Sequence, residues 1–427
     1  MEKLRTSLTG QAFIFAATFT LAAITLLMIL APNRSTSESF LRVAVPNGWR
    51  MADQESNPVL RSYLRLNNWD SLHFFDIARN EYHLPSGTIE VSDIHEYRAN
   101  AVYFPGYPLL VRGFAQLTTL PLDYALLIVA QILAFVFWIY FFTLGLASGL
   151  KREMIWVLGA FIFIQPGAFY LVTGFSESLF LAGLLGYIYW SVRAIEKQDM
   201  ASLGLAMLHG FAMASSRIVG IPLALFPLLY LGARDLYRGS FLIADYLNWK
   251  LFLLIGVAAF GGLSFFVFCQ QEFGNAKIYF DLQGIGWGTS ANYLTLLDPR
   301  LWFPRFFFEP TPQSIDRTSV VYLLGVFGLL LYQFKAFWSE KKDPMLLASS
   351  FLAFGLFFVS ASGKGNTQMA GMMRYAFPIV ALCALPLGVL GNAGKRRFHL
   401  GIFILGTVLF ATELWSAFRF LRGRWVS

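Results

Sequence analysis

Apolar runs of about twenty residues recur along this chain, each long enough to cross the hydrocarbon core of a bilayer as a helix. Inside a membrane every backbone polar group must be satisfied within the protein, which leaves only helices or a closed barrel. Barrel strands would alternate apolar and polar residues over about ten positions, whereas these runs are continuous. Composition agrees: 56% of the 427 residues are hydrophobic and 14% charged, far from the balance of a soluble domain. The chain therefore reads as all-α, a polytopic transmembrane helical bundle forming one membrane domain over residues 1–427.

About eleven spans follow from hydropathy, at 10–31, 122–148, 153–173, 177–194, 200–216, 218–233, 250–269, 318–338, 345–361, 374–391 and 399–418. The first begins beside Lys3 and Arg5 like a signal peptide, but it is long for one and Leu26 to Pro32 offers no small-residue cleavage site, so it reads as a retained helix. Ser215-Ser216-Arg217 leaves almost no room for a turn, so 200–233 reads either as two spans or as broken, re-entrant segments. The net charge of +8 is spread over short loops rather than one stripe, which argues for topology and against a nucleic-acid partner. Basic residues at 3/5, 151/152, 193/197, 234/238/250, 341/342 and 395–397 share one side, which the positive-inside rule makes cytoplasmic. Arg419, Arg422 and Arg424 fall on the other side and disagree with it.

That other side owns two long loops, 32–121 and 270–317, rich in Trp, Tyr, Phe and Pro and expected to fold against the membrane surface with short interfacial helices. Segment 68–80 predicts one such helix, capped by Asn67 or Asn68. Segment 299–313, with Trp302, predicts an interfacial element. A glycosylation sequon at Asn33-Arg34-Ser35 lies close to the first span. Cys269 and Cys383 both sit in apolar stretches, so neither a disulfide framework nor a zinc site is expected, and no metal or nucleotide motif occurs.

Seven polar clusters interrupt the apolar chain, and the trace puts all of them on the non-cytoplasmic side: 68–73, 103–108, 174–178, 215–217, 281–283, Trp287 and 373–375. Asp70 and His73, three apart, share a helical face, while Asp76 points elsewhere. Asp70 is a candidate base with His73 beside it, or a carboxylate that complements a helix dipole. Tyr103 to Pro108, with Pro105 and Pro108, predicts a stiff turn before the chain returns to the membrane. Glu177 follows Ser176, a good N-cap; it is favoured there by the dipole, yet an ionisable group at membrane depth also marks function. Arg217 and Arg374 stand where the positive-inside rule expects few arginines; they suit a phosphate, the alternative being an internal ion pair such as Arg217 with Glu177. Gln283 and Trp287, four apart, suit a sugar, and Trp287 reads equally as an interfacial belt residue.

In order, Asn68-Trp69-Asp70, His73-Phe74, Ile77-Ala78, Tyr82, the string Tyr103 to Pro108 and Gly174-Phe175-Ser176-Glu177-Ser178-Leu179-Phe180 resemble the PIG-V family, the GPI mannosyltransferase II enzymes and their prokaryotic relatives. Arg217 with Gly220, Gln283 with Trp287, and Arg374-Tyr375 are similar to later family positions, so the resemblance runs from 68 to 378. The chain departs from the family at Tyr103 and Gly106, where Phe and Leu are frequent, and at Glu81, where Gly is usual, which suggests a prokaryotic member whose acceptor need not be a GPI precursor.

The resemblance implies a GT-C fold and an inverting glycosyltransferase, a mannosyltransferase by family. It implies a polyprenyl-phosphate sugar donor, a lipid-linked or cell-surface glycan acceptor, and no cofactor. The site would lie on the outer face of a prokaryotic cytoplasmic membrane, or in the ER lumen of a eukaryote. Asp70 becomes the catalytic acid-base residue, with His73, Glu177, Arg217, Gln283, Trp287, Arg374 and Tyr375 binding substrate. Trp69, Tyr103, Pro105, Tyr107, Pro108 and Ser176 become its scaffold. The competing reading is a flippase or exporter of polyprenyl-linked saccharide, disfavoured because its polar residues would lie near the midplane, often in two related halves.

Overall fold

A computed structural model describes residues 2–31, 46, 48–49, 52–289, 317–334, 343–364, 372–391, 409 and 411–421. The sequon at 33–35, the 299–313 element with the rest of 290–316, the basic loops at 341–342 and 395–397, most of run 399–418, and Arg422 and Arg424 lie outside the described residues. Every regular element among the described residues is helical, and six helices are long and apolar enough to cross a membrane: Thr9–Leu30, Leu122–Ala147, Glu177–Lys197, Ile243–Phe273, Pro344–Gly363 and Met373–Leu390. Met200–Ser216 and Tyr322–Gln333 are shorter apolar helices.

Two runs expected as single spans are broken. The 153–173 run is helical only over Arg152–Phe163, then passes through Gln165-Pro166-Gly167 into a 3₁₀ turn at Ala168–Val172. Pro166 brings no N–H to a helix, and Gly167 turns the chain at φ +97°. The 218–233 run is divided into Gly220–Leu223 and Phe226–Arg238, each carrying a proline near its start. At the break the Tyr187 hydroxyl donates to the Ala224 carbonyl (2.7 Å), one of the groups a broken helix leaves open. The expected alternative of broken segments is thus what 218–233 forms.

Glu177–Lys197 occupies the centre, buried on nearly every face of its N-terminal half, and packs between Leu122–Ala147 and Met200–Ser216. Small residues set the approach. A β-carbon on Gly183 would stand 2.8 Å from the Met213 backbone nitrogen, and one on Gly261 would stand 2.3 Å from the Phe211 carbonyl. Where lipid is as apolar as leucine, such close backbone packing supplies the association that the hydrophobic effect does not. Pro344–Lys364 and Met372–Gly391 form a second pair, which carries Arg374 to the same end of the bundle as Glu177.

The first loop is helical at Asp70–Asn80 as expected, but its cap is not. Asn67 instead donates to the Asp123 carbonyl (2.7 Å), and Asn68 to the carbonyls of Arg65 (2.9 Å) and Phe420 (3.3 Å). Trp69 occupies the cap position at φ +54° with no side-chain cap bond, a backbone state that costs about 1–3 kcal/mol and persists only where surroundings over-determine it. Both asparagines tie this segment to other elements rather than to its own helix. The Tyr103–Pro108 string is likewise not an extended turn: Pro105 is the N-cap of an amphipathic helix, Gly106–Thr118. Gln283 and Trp287 lie on a short helix of the second loop, Ile278–Trp287.

Candidate functional site

All seven polar clusters contribute to one cavity of about 1050 Å³. Asp70 reaches it from the first residue of its loop helix, and Tyr103 from the segment just before the Gly106–Thr118 helix. Ser176 stands at the start of the central helix, while Ser216 and Arg217 come from the end of Met200–Ser216. Asp281, Gln283 and Trp287 lie along one second-loop helix, and Arg374 with Tyr375 begins a membrane helix. Ile218, Val219, Pro222, Ile285 and Val359 make a flank of the same cavity apolar.

At the polar end four charges form a chain. Arg374 donates from Nη1 to Asp70 and from Nε to Glu177. Arg217 donates from Nη1 to the same Glu177 oxygen (2.8 Å). The internal ion pair expected as one reading of Arg217 is therefore present, and Arg374 extends it to the candidate base. Two carboxylates and two guanidiniums balance, which is what makes their burial tolerable. Phe175 and Tyr170, whose rings adjoin each other at 5.0 Å, both lie against the Arg374 guanidinium, with centroids 4.6 and 5.1 Å from its carbon. The Arg217 guanidinium lies 5.2 Å from the Tyr375 ring.

Burial pushes the Asp70 carboxyl up, but the Arg374 charge and hydrogen bond, with Tyr103 and His73, outweigh it and hold Asp70 below the usual carboxylate range. His73 has the opposite fate: burial takes its imidazole down to about 4 against the pull of Asp70. Its ring packs on Tyr97 (4.7 Å), Tyr103 (5.1 Å) and Trp287 (6.1 Å), outside the residues that line the cavity. Asp76 points away, as expected. It accepts from Asn80 and Asn100 (2.7 Å each), and burial raises its carboxyl despite those bonds.

Other predicted residues are placed as follows. Gln283 donates to the Val102 carbonyl (2.7 Å), tying the second-loop helix to the segment that carries Tyr103. Tyr107 is fully buried and donates to the Leu126 carbonyl (2.6 Å), while Pro108 is buried beside it; neither lines the cavity. Trp69 packs against the main apolar core. Ser176 occupies the N-cap position, but with helical backbone angles and no cap bond from its side chain, so its expected capping role fails.

Sequence reasoning missed Tyr170, Tyr279, Ser360 and Ser362 on the cavity wall. It also missed Glu413, which lies behind the wall, 3% exposed, and accepts from the backbone N–H groups of Gly167 and Phe169 (2.9 Å each). A signal existed for Glu413, as a lone acid inside an apolar run; none existed for the others. Among the described residues no group of three or more His, Cys, Asp or Glu is placed to hold a metal ion.

No family model matches the chain, and no curated protein matches it. Among solved structures it is similar to the oligosaccharyltransferase of Archaeoglobus fulgidus in the apo form, with TM-score 0.48 and 12% identity over 98% of this chain and 56% of that one. It is also similar to the archaeal oligosaccharyltransferase AglB from Archaeoglobus fulgidus in complex with an inhibitory peptide and a dolichol-phosphate, with TM-score 0.47 and 13% identity over 97% of this chain and 56% of that one. The chain thus spans little more than half the length of the structures it resembles.

Proposed function

We propose that this protein is an inverting glycosyltransferase of the GT-C type, a mannosyltransferase by its motif resemblance, that moves a sugar from a polyprenyl-phosphate donor to a lipid-linked or cell-surface glycan acceptor. The distribution of Lys and Arg along the sequence supports a site on the non-cytoplasmic face. The observation that carries the reading is the meeting of Asp70 with two arginines at the polar end of a large cavity whose flank is apolar. A lipid phosphate needs both ends: guanidiniums for its charge and an apolar wall for its chain.

In this reading an acceptor hydroxyl attacks the anomeric carbon from the face opposite the phosphate and passes its proton to the Asp70 carboxylate. The bond from the anomeric carbon to the phosphate oxygen breaks as the new glycosidic bond forms, and its electron pair leaves with the lipid phosphate. Arg374 and Arg217 stabilise that growing negative charge in a site screened from water. Trp287 offers a face for the sugar, and Glu177 keeps the two guanidiniums together.

The test is transfer by purified protein in detergent, given radiolabelled polyprenyl-phosphate mannose and glycan acceptors. Asp70→Asn is expected to lower transfer at least about 100-fold, the scale of a lost general base. Near-normal transfer by a folded Asp70→Asn protein would overturn the assignment. Movement of the labelled lipid across vesicles without a new glycosidic bond would support a carrier instead.

A further inference from the structure

Arg374 is held by two carboxylates that differ in what can reach them. Glu177 is 1% exposed and lies outside the cavity lining, whereas Asp70 lines the cavity together with Arg374 and Arg217. A ligand entering the cavity therefore meets the Asp70–Arg374 pair and not the Glu177–Arg374 pair. The guanidinium itself is held, bonded to Glu177 through Nε and packed against the adjoining rings of Phe175 and Tyr170. Its Nη1 donor is committed to Asp70. Among the described residues the four charges sum to zero, and an anion that takes the Nη1 donor of Arg374 must displace Asp70 from it.

We propose that Arg374 is an exchange switch: the donor's phosphate displaces Asp70 from the Arg374 guanidinium while Glu177 keeps that guanidinium in place, and the displacement frees Asp70 to act as base. This rests on the glycosyl-transfer reading and adds a coupling to it. In the observed arrangement the base is masked by its own ion pair, and the anion that needs the arginine unmasks it. Asp70 also has the Tyr103 hydroxyl as a neighbour. The carboxylate loses only its cationic partner, and a buried carboxylate without such a partner takes a proton more readily.

The switch predicts a result opposite to that expected of an ordinary binding-site acid. Asp70 competes with phosphate for one guanidinium, so Asp70→Asn, which is expected to lose transfer, should bind a lipid phosphate more tightly. The probe is geranylgeranyl phosphate with no acceptor present, titrated into detergent-solubilised protein by calorimetry. Asp70→Asn is expected to lower Kd about tenfold, which corresponds to about 1.4 kcal/mol. In an Arg374→Gln background the same substitution is expected to change Kd less than about twofold, since the competition has been removed.

Arg374→Gln leaves two buried carboxylates short of a partner, a change that can unfold a protein. Arg374→Lys keeps the charge but loses the planar fork, and against it the Asp70→Asn gain should shrink. A gain of equal size in both Arg374 backgrounds would overturn the switch, because removal of any nearby negative charge would then explain it. Unchanged or weaker binding by Asp70→Asn, or no binding by the unsubstituted protein, would overturn it as well. Because the titration contains no acceptor, failure of the exchange leaves the transfer assay standing, and failure of transfer leaves the titration readable.

Discussion

His73 shows how burial can set a residue's state against its chemistry. A candidate substrate ligand beside Asp70, it is 6% exposed among three aromatic rings, and its Nδ1 has no hydrogen-bond partner among the described residues. Its folded value, down to about 4, lies below the ordinary 6.5, so the unfolded chain binds the extra proton first. Its contribution to stability is therefore complete above about pH 6.5 and is lost as pH falls toward about 4, by an amount on the order of 3 kcal/mol. Asp70, also lowered, adds a loss of the same sign only at still lower pH. Thermal unfolding in detergent across that window is expected to show the decline, and His73→Phe should flatten it. An unchanged slope in His73→Phe would mean that another group titrates. Glu81 is the second residue-scale lesson. It stands where the family that the sequence resembles usually has Gly, at φ +64° and ψ −170°, a region few side chains tolerate. Arg112 pairs with its carboxylate (2.8 Å) and Asn100 donates to its carbonyl (2.8 Å), which hold it there.

At the scale of elements, Gly106 carries more than its place in a proline-rich string suggests. A β-carbon there would stand 2.3 Å from the Ser215 Oγ and 2.7 Å from the Ser215 carbonyl, so the start of the Gly106–Thr118 helix lies directly on the turn that presents Arg217. Leu, frequent at this position in the family that the sequence resembles, has no room here. Gly106→Leu is expected to cost about 1–3 kcal/mol through overpacking and to depress transfer by moving Arg217, with Gly106→Ala in between; normal melting and activity in Gly106→Leu would show that the turn yields freely. The broken runs at 153–173 and 218–233 belong to the same scale. Pro166, Pro222 and Pro227 were visible in the sequence, but apolar membrane helices accommodate proline when neighbours satisfy the freed groups. Hydropathy therefore could not distinguish a kinked span from two pieces. Tyr187 reaching Ala224 and Gln165 accepting from Tyr322 (3.0 Å) are tertiary bonds, with no signal in either run.

Across the whole molecule, residues 411–421 act as a strut beneath the cavity. Glu413 binds the backbone of Gly167 and Phe169, Phe420 packs its ring on Phe169, Tyr170 and Phe175, and the Phe420 carbonyl accepts from Asn68. The helix over 411–421 thus supports the rings that pack against Arg374 and the segment that precedes Asp70. Glu413→Ala would leave two buried backbone donors unsatisfied, and a loss of about 2 kcal/mol or more is expected in thermal unfolding. Glu413→Gln, which keeps an acceptor oxygen, should lose less. Equal stability of all three proteins would mean that the strut adds nothing.

The sequence by itself determined the class of solvent, the helical architecture that this solvent imposes, and the identity and order of the charged and aromatic residues that interrupt it. These follow from local properties: hydropathy over about twenty residues and the rarity of acids and arginines in apolar surroundings. What only the tertiary structure decided is which charges meet. Asp70 and Arg374 are 304 residues apart in the chain and Glu177 and Arg374 are 197 apart. No pattern of spacing encodes either pair; both arise because a balanced set of charges is tolerable in an apolar bundle only where helix packing brings opposite signs into contact.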